Sequence, residues 1–227
     1  MSAANNKIYF AIIGDIVGSR QLKDRASVQE KLASLLKKIN ETYETALSSN
    51  FTITLGDEFQ GLLSSGSEIM AIIEEIEREM HPLKIRFAIG VGEITTSINR
   101  EISLGADGPA YYNARELIDL FKSFEKKKVQ AKSNIIIRAD SLGSKQNLVN
   151  SIFSLNYYIK ERWSDKQREI INCYIEQHES QVMAAHRLGI NQSSVQRSLQ
   201  KSGYYAYKNA VSSITSILKE LNGDEYV

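Results

Sequence analysis

This sequence of 227 residues contains a single cysteine, carries a formal net charge of only +1 and lacks a long hydrophobic run. With Cys173 alone the chain cannot form an internal disulfide, and such sparse use of cysteine suits a reducing compartment. No apolar stretch approaches the roughly 18 residues that a membrane-spanning helix needs. Residues 1–7 are polar and lack the charged-then-apolar order of a signal peptide. We therefore expect a cytoplasmic protein with no membrane partner, while the net charge argues neither for nor against nucleic acid.

The hydrophobic pattern divides the chain into two parts. Strand-like runs occur at residues 8–13, 51–55, 59–63, 84–94 and 134–139, the fourth interrupted at Gly90 and Gly92. Helical patterns occupy residues 24–47, 67–79 and 110–127, with Ser67 as the predicted cap of the second helix. The order βαββαβ followed by αβ predicts an α+β fold, with a ferredoxin-like domain over residues 1–141. After residue 141 the pattern is helical throughout, which predicts an all-α domain over residues 142–227.

Two acidic turns are the first candidate site. Asp15 directly follows the first predicted strand, and Asp57 and Glu58 lie in the tight turn of the predicted hairpin. The split βαβ topology makes these strands neighbours at the sheet centre, so their acidic ends converge. Two carboxylates at one strand end can hold Mg²⁺ against a triphosphate, which predicts Asp15 and Asp57 as metal ligands. The alternative is that both are ordinary solvated turns, since Asp and Gly both favour tight turns.

The glycine-rich segment that follows the first strand suggests a phosphate site. Gly14, Gly18 and Ser19 would let backbone N–H groups approach a phosphate closely. Arg20 and Arg25 stand where a bound phosphate needs countercharge. We therefore expect this segment to contribute to nucleotide binding.

Four segments of the front part resemble class III nucleotide cyclases in order and spacing. Residues 15–19 resemble the first-strand motif, and residues 54–59 resemble both the second metal motif and the GDEF turn of diguanylate cyclases. Residues 86–93 resemble the cyclase strand that follows, and residues 108–117 resemble the substrate-side helix. The resemblance covers most of residues 8–140. It implies a nucleotide of the ATP or GTP type bound with Mg²⁺, and adds Glu58, Asn113 and Arg115 to the nucleotide-binding residues.

The substrate-side helix departs from the cyclase pattern. The family places an Asn and, four residues later, an Arg at positions that are Tyr112 and Glu116 here. Asn113 and Arg115 are displaced by one residue, which is a rotation of about 100° on a helix. Ile53 replaces a base-reading Lys of many cyclases. The pattern therefore favours nucleotide sensing, with an active nucleotide cyclase or related nucleotidyl transferase as the alternative, and leaves open whether the protein is an enzyme.

Residues 163–201 have the pattern of a helix-turn-helix. Ser164 and Gln167 form a capping-box sequence at the start of its first helix. Ala185, Gly189 and Val195 are spaced four and six residues apart. A small residue lets two helices approach, a glycine takes the turn, and an apolar residue packs the second helix in place.

The second helix of this motif, capped by Asn191, is the predicted DNA-reading element. The residues expected to face DNA are Gln192, Ser193, Gln196, Arg197, Gln200 and Lys201. Gln and Arg pair bidentately with adenine and guanine edges, and Ser often contacts phosphate. No Asp or Glu occurs from residue 180 to residue 219, which favours phosphate binding. The alternative is a helical bundle used for dimerisation or for contact with another protein.

The two halves together predict a transcription regulator in which a cyclase-like domain senses a nucleotide with Mg²⁺ and a helix-turn-helix binds double-stranded DNA. The combination resembles the SatD family of small bacterial proteins. A homodimer is expected, because cyclase-like domains pair to form their sites and helix-turn-helix proteins read two half-sites. A further alternative is a binding module with no small ligand, whose acidic turns are only turns.

Overall fold

The computed structural model describes residues 7–127 and 133–221. The strands are β1 (Tyr9–Ile16), β2 (Leu47–Leu55), β3 (Glu58–Leu63), β4 (Ile85–Gly92) and β5 (Ile135–Arg138). The helices are α1 (Arg25–Thr42), α2 (Ile69–Met80), α3 (Pro109–Lys126), α4 (Lys145–Lys160), α5 (Asp165–Glu176), α6 (Gln181–Leu188), α7 (Gln192–Lys201) and α8 (Tyr204–Glu220). The predicted α+β class is confirmed. The predicted domains extend at both ends of the chain into residues 1–6 and 222–227, which lie outside the described residues.

The five strands form one mixed sheet in the order β2-β3-β1-β4-β5. β1 pairs antiparallel with β3 on one side and with β4 on the other, and β4 pairs parallel with β5. The central strand and the hairpin strand are therefore neighbours, as the acidic-turn hypothesis requires.

The two faces of the sheet are covered by different helices. Helix α3 packs on the face that carries Ala11 and Ile13, while α1 and α2 pack on the face that carries Phe10 and Ile12. Alternate residues of a strand point to opposite faces, so β1 is apolar on both and buried along most of its length. Residues that point toward α3 from the sheet end are therefore enclosed between a strand and a helix.

Several predicted features of the secondary structure were wrong, among them the start of β2, which begins at Leu47 instead of residue 51. β1 continues through Asp15 to Ile16, because β3 and β4 supply partners along its whole length. The first helix ends at Thr42 instead of residue 47, because the chain turns at Tyr43 to begin β2. Ser67 does not cap α2; its hydroxyl shares a hydrogen bond with that of Ser65, and the next residue takes the cap position.

Strand β4 is continuous although it contains Gly90 and Gly92, so the predicted interruption was also wrong. A Cβ on Gly90 would lie 2.0 Å from the carbonyl oxygen of Ala110 and 2.4 Å from the backbone nitrogen of Ala114. Gly90 therefore marks a close approach of α3 to the sheet backbone, not a break in the strand.

Helix α4 joins the sheet to the helices that follow. The side-chain amide of Asn150 donates to the carbonyl of Ile137 at 3.0 Å and accepts from its N–H at 2.9 Å, which satisfies backbone groups on the edge strand β5. The buried side chains on the Phe10 face of the sheet and those of α4, α5 and α8 belong to one continuous apolar core. Among the residues the structure describes, no helix is both long and apolar enough to cross a membrane.

Candidate functional site

Three charged side chains lie side by side across the centre of the sheet. Glu58 on β3 pairs in register with Asp15 on β1, and Asp15 pairs in register with Arg86 on β4. Their exposed fractions are only 3%, 5% and 8%. Directly opposed residues on adjacent strands project to the same face, which here is the face that α3 covers.

Lys122 and Arg115 of α3 contact the two carboxylates of this group. We call the five residues the sheet-end cluster. The Nε and Nη2 atoms of Arg86 lie 2.6 and 2.5 Å from Oδ2 of Asp15. Nζ of Lys122 lies 2.7 Å from Oε2 of Glu58 and 3.8 Å from Oδ1 of Asp15. Nη1 of Arg115 lies 2.5 Å from Oε1 of Glu58. Two buried carboxylates are thus held by three cations. The cluster has one positive charge in excess, which favours binding of an anion over binding of a further cation.

The two carboxylates respond differently to their surroundings. Burial raises the pKa of Asp15, against the attraction of Arg86 and Lys122. Burial also acts to raise the pKa of Glu58, but hydrogen bonds from Lys122 and Arg115 outweigh it and lower that pKa. Glu58 is therefore the more firmly ionised of the two and depends on α3 for its countercharge.

Asp57, the second predicted metal ligand, lies at the tip of the hairpin. Its Oδ1 is 3.6 Å from Nη2 of Arg25, and Gln29 donates to the carbonyl of Gly56 at 2.6 Å. Besides burial, the negative charge of Asp57 contributes to raising the pKa of Asp15. Across residues 7–127 and 133–221, no group of three or more His, Cys, Asp or Glu side chains is arranged to hold a metal ion.

The predicted phosphate segment divides into a buried and an open part. Gly14 lies inside β1, where an added Cβ would be 2.2 Å from the ring of Phe59, so its missing side chain makes room for packing. Gly18 is left-handed (φ 68°) with open space beside it. Ser19 is buried in a short 3₁₀ turn and Arg20 is exposed. Gly18 and Arg20 therefore remain accessible to a ligand, and Gly14 does not.

Helix α3 places its predicted residues apart from one another. Arg115 reaches the sheet-end cluster, whereas the amide of Asn113 donates to the carbonyl of Val91 at 3.0 Å, near the opposite end of β4. Tyr112 donates to a carboxylate oxygen of Asp107 at 2.6 Å and is largely exposed. The one-residue displacement noted in the sequence thus directs Asn113 away from the cluster.

Two members of the cluster were missed from the sequence. Arg86 is a lone charge in an otherwise apolar strand, and Lys122 lies two helical turns after Arg115 on the same side of α3. A buried charge within an apolar strand needs a partner, and that requirement could have identified Arg86.

Helices α5, α6 and α7 span the segment predicted to form a helix-turn-helix. The capping box of Ser164 and Gln167 is present, with both reciprocal hydrogen bonds. Gly189 ends α6 in the left-handed conformation (φ 63°), and Val195 is buried on the inner side of α7. Asn191 occupies the N-cap position of α7, although its side chain makes no capping hydrogen bond.

The outer side of α7 is polar. Gln196 is half-buried, and the other predicted DNA-facing residues are exposed: Gln192, Ser193, Arg197, Gln200 and Lys201. Oε1 of Gln196 accepts hydrogen bonds from Gln181 and from the hydroxyl of Tyr205, so a polar network joins α6, α7 and α8.

The cations of this region differ in their pairing. Arg187 pairs with Glu176 at 3.5 Å and Lys208 pairs with Glu179 at 2.6 Å, both acids lying just upstream of the acid-free stretch. Arg197 instead bonds to the carbonyl of Ser193, four residues earlier on its own helix. In the part of the chain that the structure describes, neither Arg197 nor Lys201 pairs with a carboxylate. The exposed side of α7 therefore carries uncompensated positive charge.

Comparison with known proteins identifies the family. The model of the SatD family matches residues 9–218, which is nearly the whole chain. No match was found among curated proteins. A solved structure, that of a regulator of polyketide synthase expression from Bifidobacterium adolescentis, is similar at 12% identity with a TM-score of 0.30, over 92% of this chain and 80% of that one. The family resemblance expected from the sequence is confirmed, and this chain belongs to the SatD family.

Proposed function

We propose that this SatD-family protein is a DNA-binding regulator that places α7 in the major groove. The observation that carries the proposal is the outer side of α7, where Arg197 and Lys201 are exposed and unpaired by acids within the described residues. Uncompensated cations on a polar helix attract phosphate, and an α-helix fits the width of the major groove.

The contacts that α7 makes with its neighbours suit a helix that reads base edges. Gly189 sets the angle between α6 and α7, and buried Val195 fixes the rotation of α7 about its own axis. Hydrogen bonds from Gln181 to Gln196, and from Gln192 to Gln181, order the amide groups before DNA arrives. Ordered amides lose less side-chain entropy on binding, which favours specific contacts to base edges.

A gel shift with a duplex of random sequence tests this proposal. Wild type should shift the duplex at low salt, and Arg197→Gln should weaken the shift. Lys37→Gln removes an exposed cation from α1, outside the helix-turn-helix, and is the charge-matched control. If wild type does not bind at low salt, or if both variants weaken binding equally, then α7 is not the DNA-binding surface.

A homodimer is part of this proposal, because two copies would read two half-sites of one operator. Helix α4 supports it with an exposed apolar stripe that contains Leu148, Leu155 and Tyr158. Leu148 and Leu155 are seven residues apart and so lie on one side of the helix. Light scattering should give a dimer mass for wild type and a monomer mass for Leu155→Glu; a wild-type monomer at assay concentrations would contradict this part.

We propose further that the sheet-end cluster binds a nucleoside triphosphate with Mg²⁺. Strand order β2-β3-β1-β4 with its crossing helices is the order expected of a ferredoxin-like, cyclase-like domain, which supports this reading. Phosphate oxygens would bind Arg115 and Lys122 in place of Glu58. Asp15 and Asp57 would hold Mg²⁺, which would neutralise phosphate charge.

The contacts of α3 favour a sensor over a nucleotide cyclase or nucleotidyl transferase. Tyr112 is bonded to Asp107 and Glu116 to Arg138, so neither family position directs a polar donor at the cluster. Loss of one positioned electrostatic donor typically lowers a rate by about 10² to 10³.

Thermal shift with ATP or GTP tests the nucleotide site. The melting temperature of wild type should rise only when Mg²⁺ is present, and Asp57→Ala should abolish the rise. Asp57 is the informative position because its partner Arg25 is well exposed, so the fold should tolerate the change. No shift in wild type would refute nucleotide binding without affecting the DNA proposal, and release of pyrophosphate or a cyclic product would establish the enzyme instead.

A further inference from the structure

A cleft of about 540 Å³ lies between the sheet and the helices that follow it. One side is formed by the end of α2 and the start of β4, and the other by α4, α5 and α8. Clefts of this size at the junction of two parts of a chain are the usual place for small-molecule sites. None of the nucleotide-binding or DNA-binding residues predicted from the sequence lines it.

One wall of the cleft is a rigid aromatic surface. The ring of Trp163 packs edge-on against that of Tyr207 at 5.3 Å and lies 6.4 Å from that of Tyr204. The indole N–H of Trp163 donates to the carbonyl of Ser202 at 2.8 Å, which fixes the ring. The buried hydroxyl of Tyr204 has no hydrogen-bond partner among the described residues. These three side chains line the cleft, with Tyr204 and Tyr207 only 2% and 5% exposed, and one polar atom is left to be satisfied.

Four of the five cations that line the cleft pair with acids. Two of its five cations are matched by its own acids: Lys84 by Glu161 and Lys160 by Glu77, each at 2.5 Å. Arg86 is held by an acid outside the cleft, in the sheet-end cluster. Of the remaining two, Arg78 lies 3.7 Å from Oε1 of Glu79, which leaves Arg168.

Arg168 is the cation best placed to meet a ligand. Its Nη2 donates to the carbonyl of Lys160 at 2.5 Å, and its guanidinium carbon lies 5.6 Å from the ring centroid of Trp163. It pairs with no carboxylate in residues 7–127 or 133–221. Burial and the charge of Arg168 both lower the pKa of His81, against the charge of Asp165, which acts to raise it. A guanidinium fixed beside an aromatic wall is the arrangement that recognises an anionic group attached to a ring.

We propose that this cleft binds a small organic anion that carries a planar aromatic ring. The ring would lie against Trp163, Tyr204 and Tyr207, and the anionic group would meet the guanidinium of Arg168. An aromatic carboxylate and a nucleoside monophosphate share this chemistry. The site needs no metal, which separates it from the Mg²⁺-dependent site proposed at the sheet end.

The position of the cleft gives the ligand a route to α7. Tyr207 of α8 donates to Glu74 of α2 at 2.5 Å across the cleft, and α5 and α8 both pack against α7. A ligand that fits the cleft at one distance between α2 and α8 would stabilise that distance. It would thereby favour the position of α7 that goes with it. This consequence rests on the proposed DNA-binding function, whereas ligand binding itself does not.

Calorimetry in EDTA tests the site with two pairs of probes. Indole-3-acetate and AMP are the anions, and indole-3-acetamide and adenosine are their neutral counterparts. We expect wild type to bind at least one anion, and to bind its neutral counterpart at least about tenfold more weakly. Binding of AMP alone would identify a nucleotide ligand, and binding of indole-3-acetate alone an aromatic carboxylate.

Arg168→Gln should weaken binding of the anion at least about tenfold, and Lys166→Gln on the exposed side of α5 should leave it unchanged. Asn172→Phe, one helical turn after Arg168, fills part of the cleft and is the second variant if Arg168→Gln does not fold. The proposal is overturned if wild type binds neither anion, if the neutral probes bind equally well, or if the folded variants retain full affinity. Because DNA is absent from the assay, these outcomes are independent of the DNA-binding proposal.

Discussion

Replacing Arg86 with methionine is the sharpest test of how the sheet end is built. The change keeps an unbranched side chain of similar reach but leaves Asp15, which is only 5% exposed, without its main partner. Removing one member of a buried ion pair costs about 3–5 kcal/mol of the free energy of unfolding. Lys122 remains 3.8 Å from Asp15 and offsets part of the loss, so we expect about 3 kcal/mol.

Urea unfolding followed by far-ultraviolet circular dichroism measures this loss. The double variant Asp15→Asn/Arg86→Met should recover most of it, because no buried charge is then left unpaired. The deficit of Arg86→Met should also shrink at low pH. Burial raises the pKa of Asp15, so the folded state holds the proton more tightly, and protonation removes the penalty as pH falls. A deficit below about 1 kcal/mol, or one that does not depend on pH, would refute the account of this cluster.

Three further predictions concern local features. Gly189→Ala should lower the free energy of unfolding by about 1–2 kcal/mol in urea, because a left-handed backbone is unfavourable for alanine; no loss would show that the turn adapts. Glu58→Gln should cost about 1–2 kcal/mol at neutral pH, since its partners Lys122 and Arg115 are half exposed. Because the pKa of Glu58 is lowered below 4.5 in the folded state, the extra stability of wild type over Glu58→Gln should be lost as the pH falls below about 4.5. An unchanged difference in unfolding free energy at about pH 3 would contradict this prediction. Ser164→Ala should cost about 1 kcal/mol in the same assay by removing the cap of α5, and a neutral result would show that the capping box is not needed.

The features that the sequence predicted well are those specified by nearby residues. The capping box at Ser164, the left-handed Gly189 and the buried Val195 each depend on neighbours within one or two helical turns. Their geometry is therefore encoded in short spacings that can be read directly from the chain.

The features that the sequence did not predict depend on residues distant in the chain. Asp15 was expected in a turn, but pairing with β3 and β4 extends the strand through it. The partner of Asp15 lies 71 residues away at Arg86, and Lys122 is 64 residues from Glu58. Only the register of three strands and the position of α3 bring these side chains together, and a single sequence carries no direct signal for either.

Salt dependence of duplex binding tests the central proposal most directly. Fluorescence anisotropy with a labelled duplex gives the binding constant of wild type and of Arg197→Gln/Lys201→Gln over a range of salt concentrations. Each phosphate contact contributes a slope of about −0.9 to the logarithmic plot, so the double variant should bind more weakly at low salt with a slope smaller by about two. Absence of duplex binding by wild type at low salt, or an identical slope for the double variant, would contradict the proposal that α7 is the DNA-binding element.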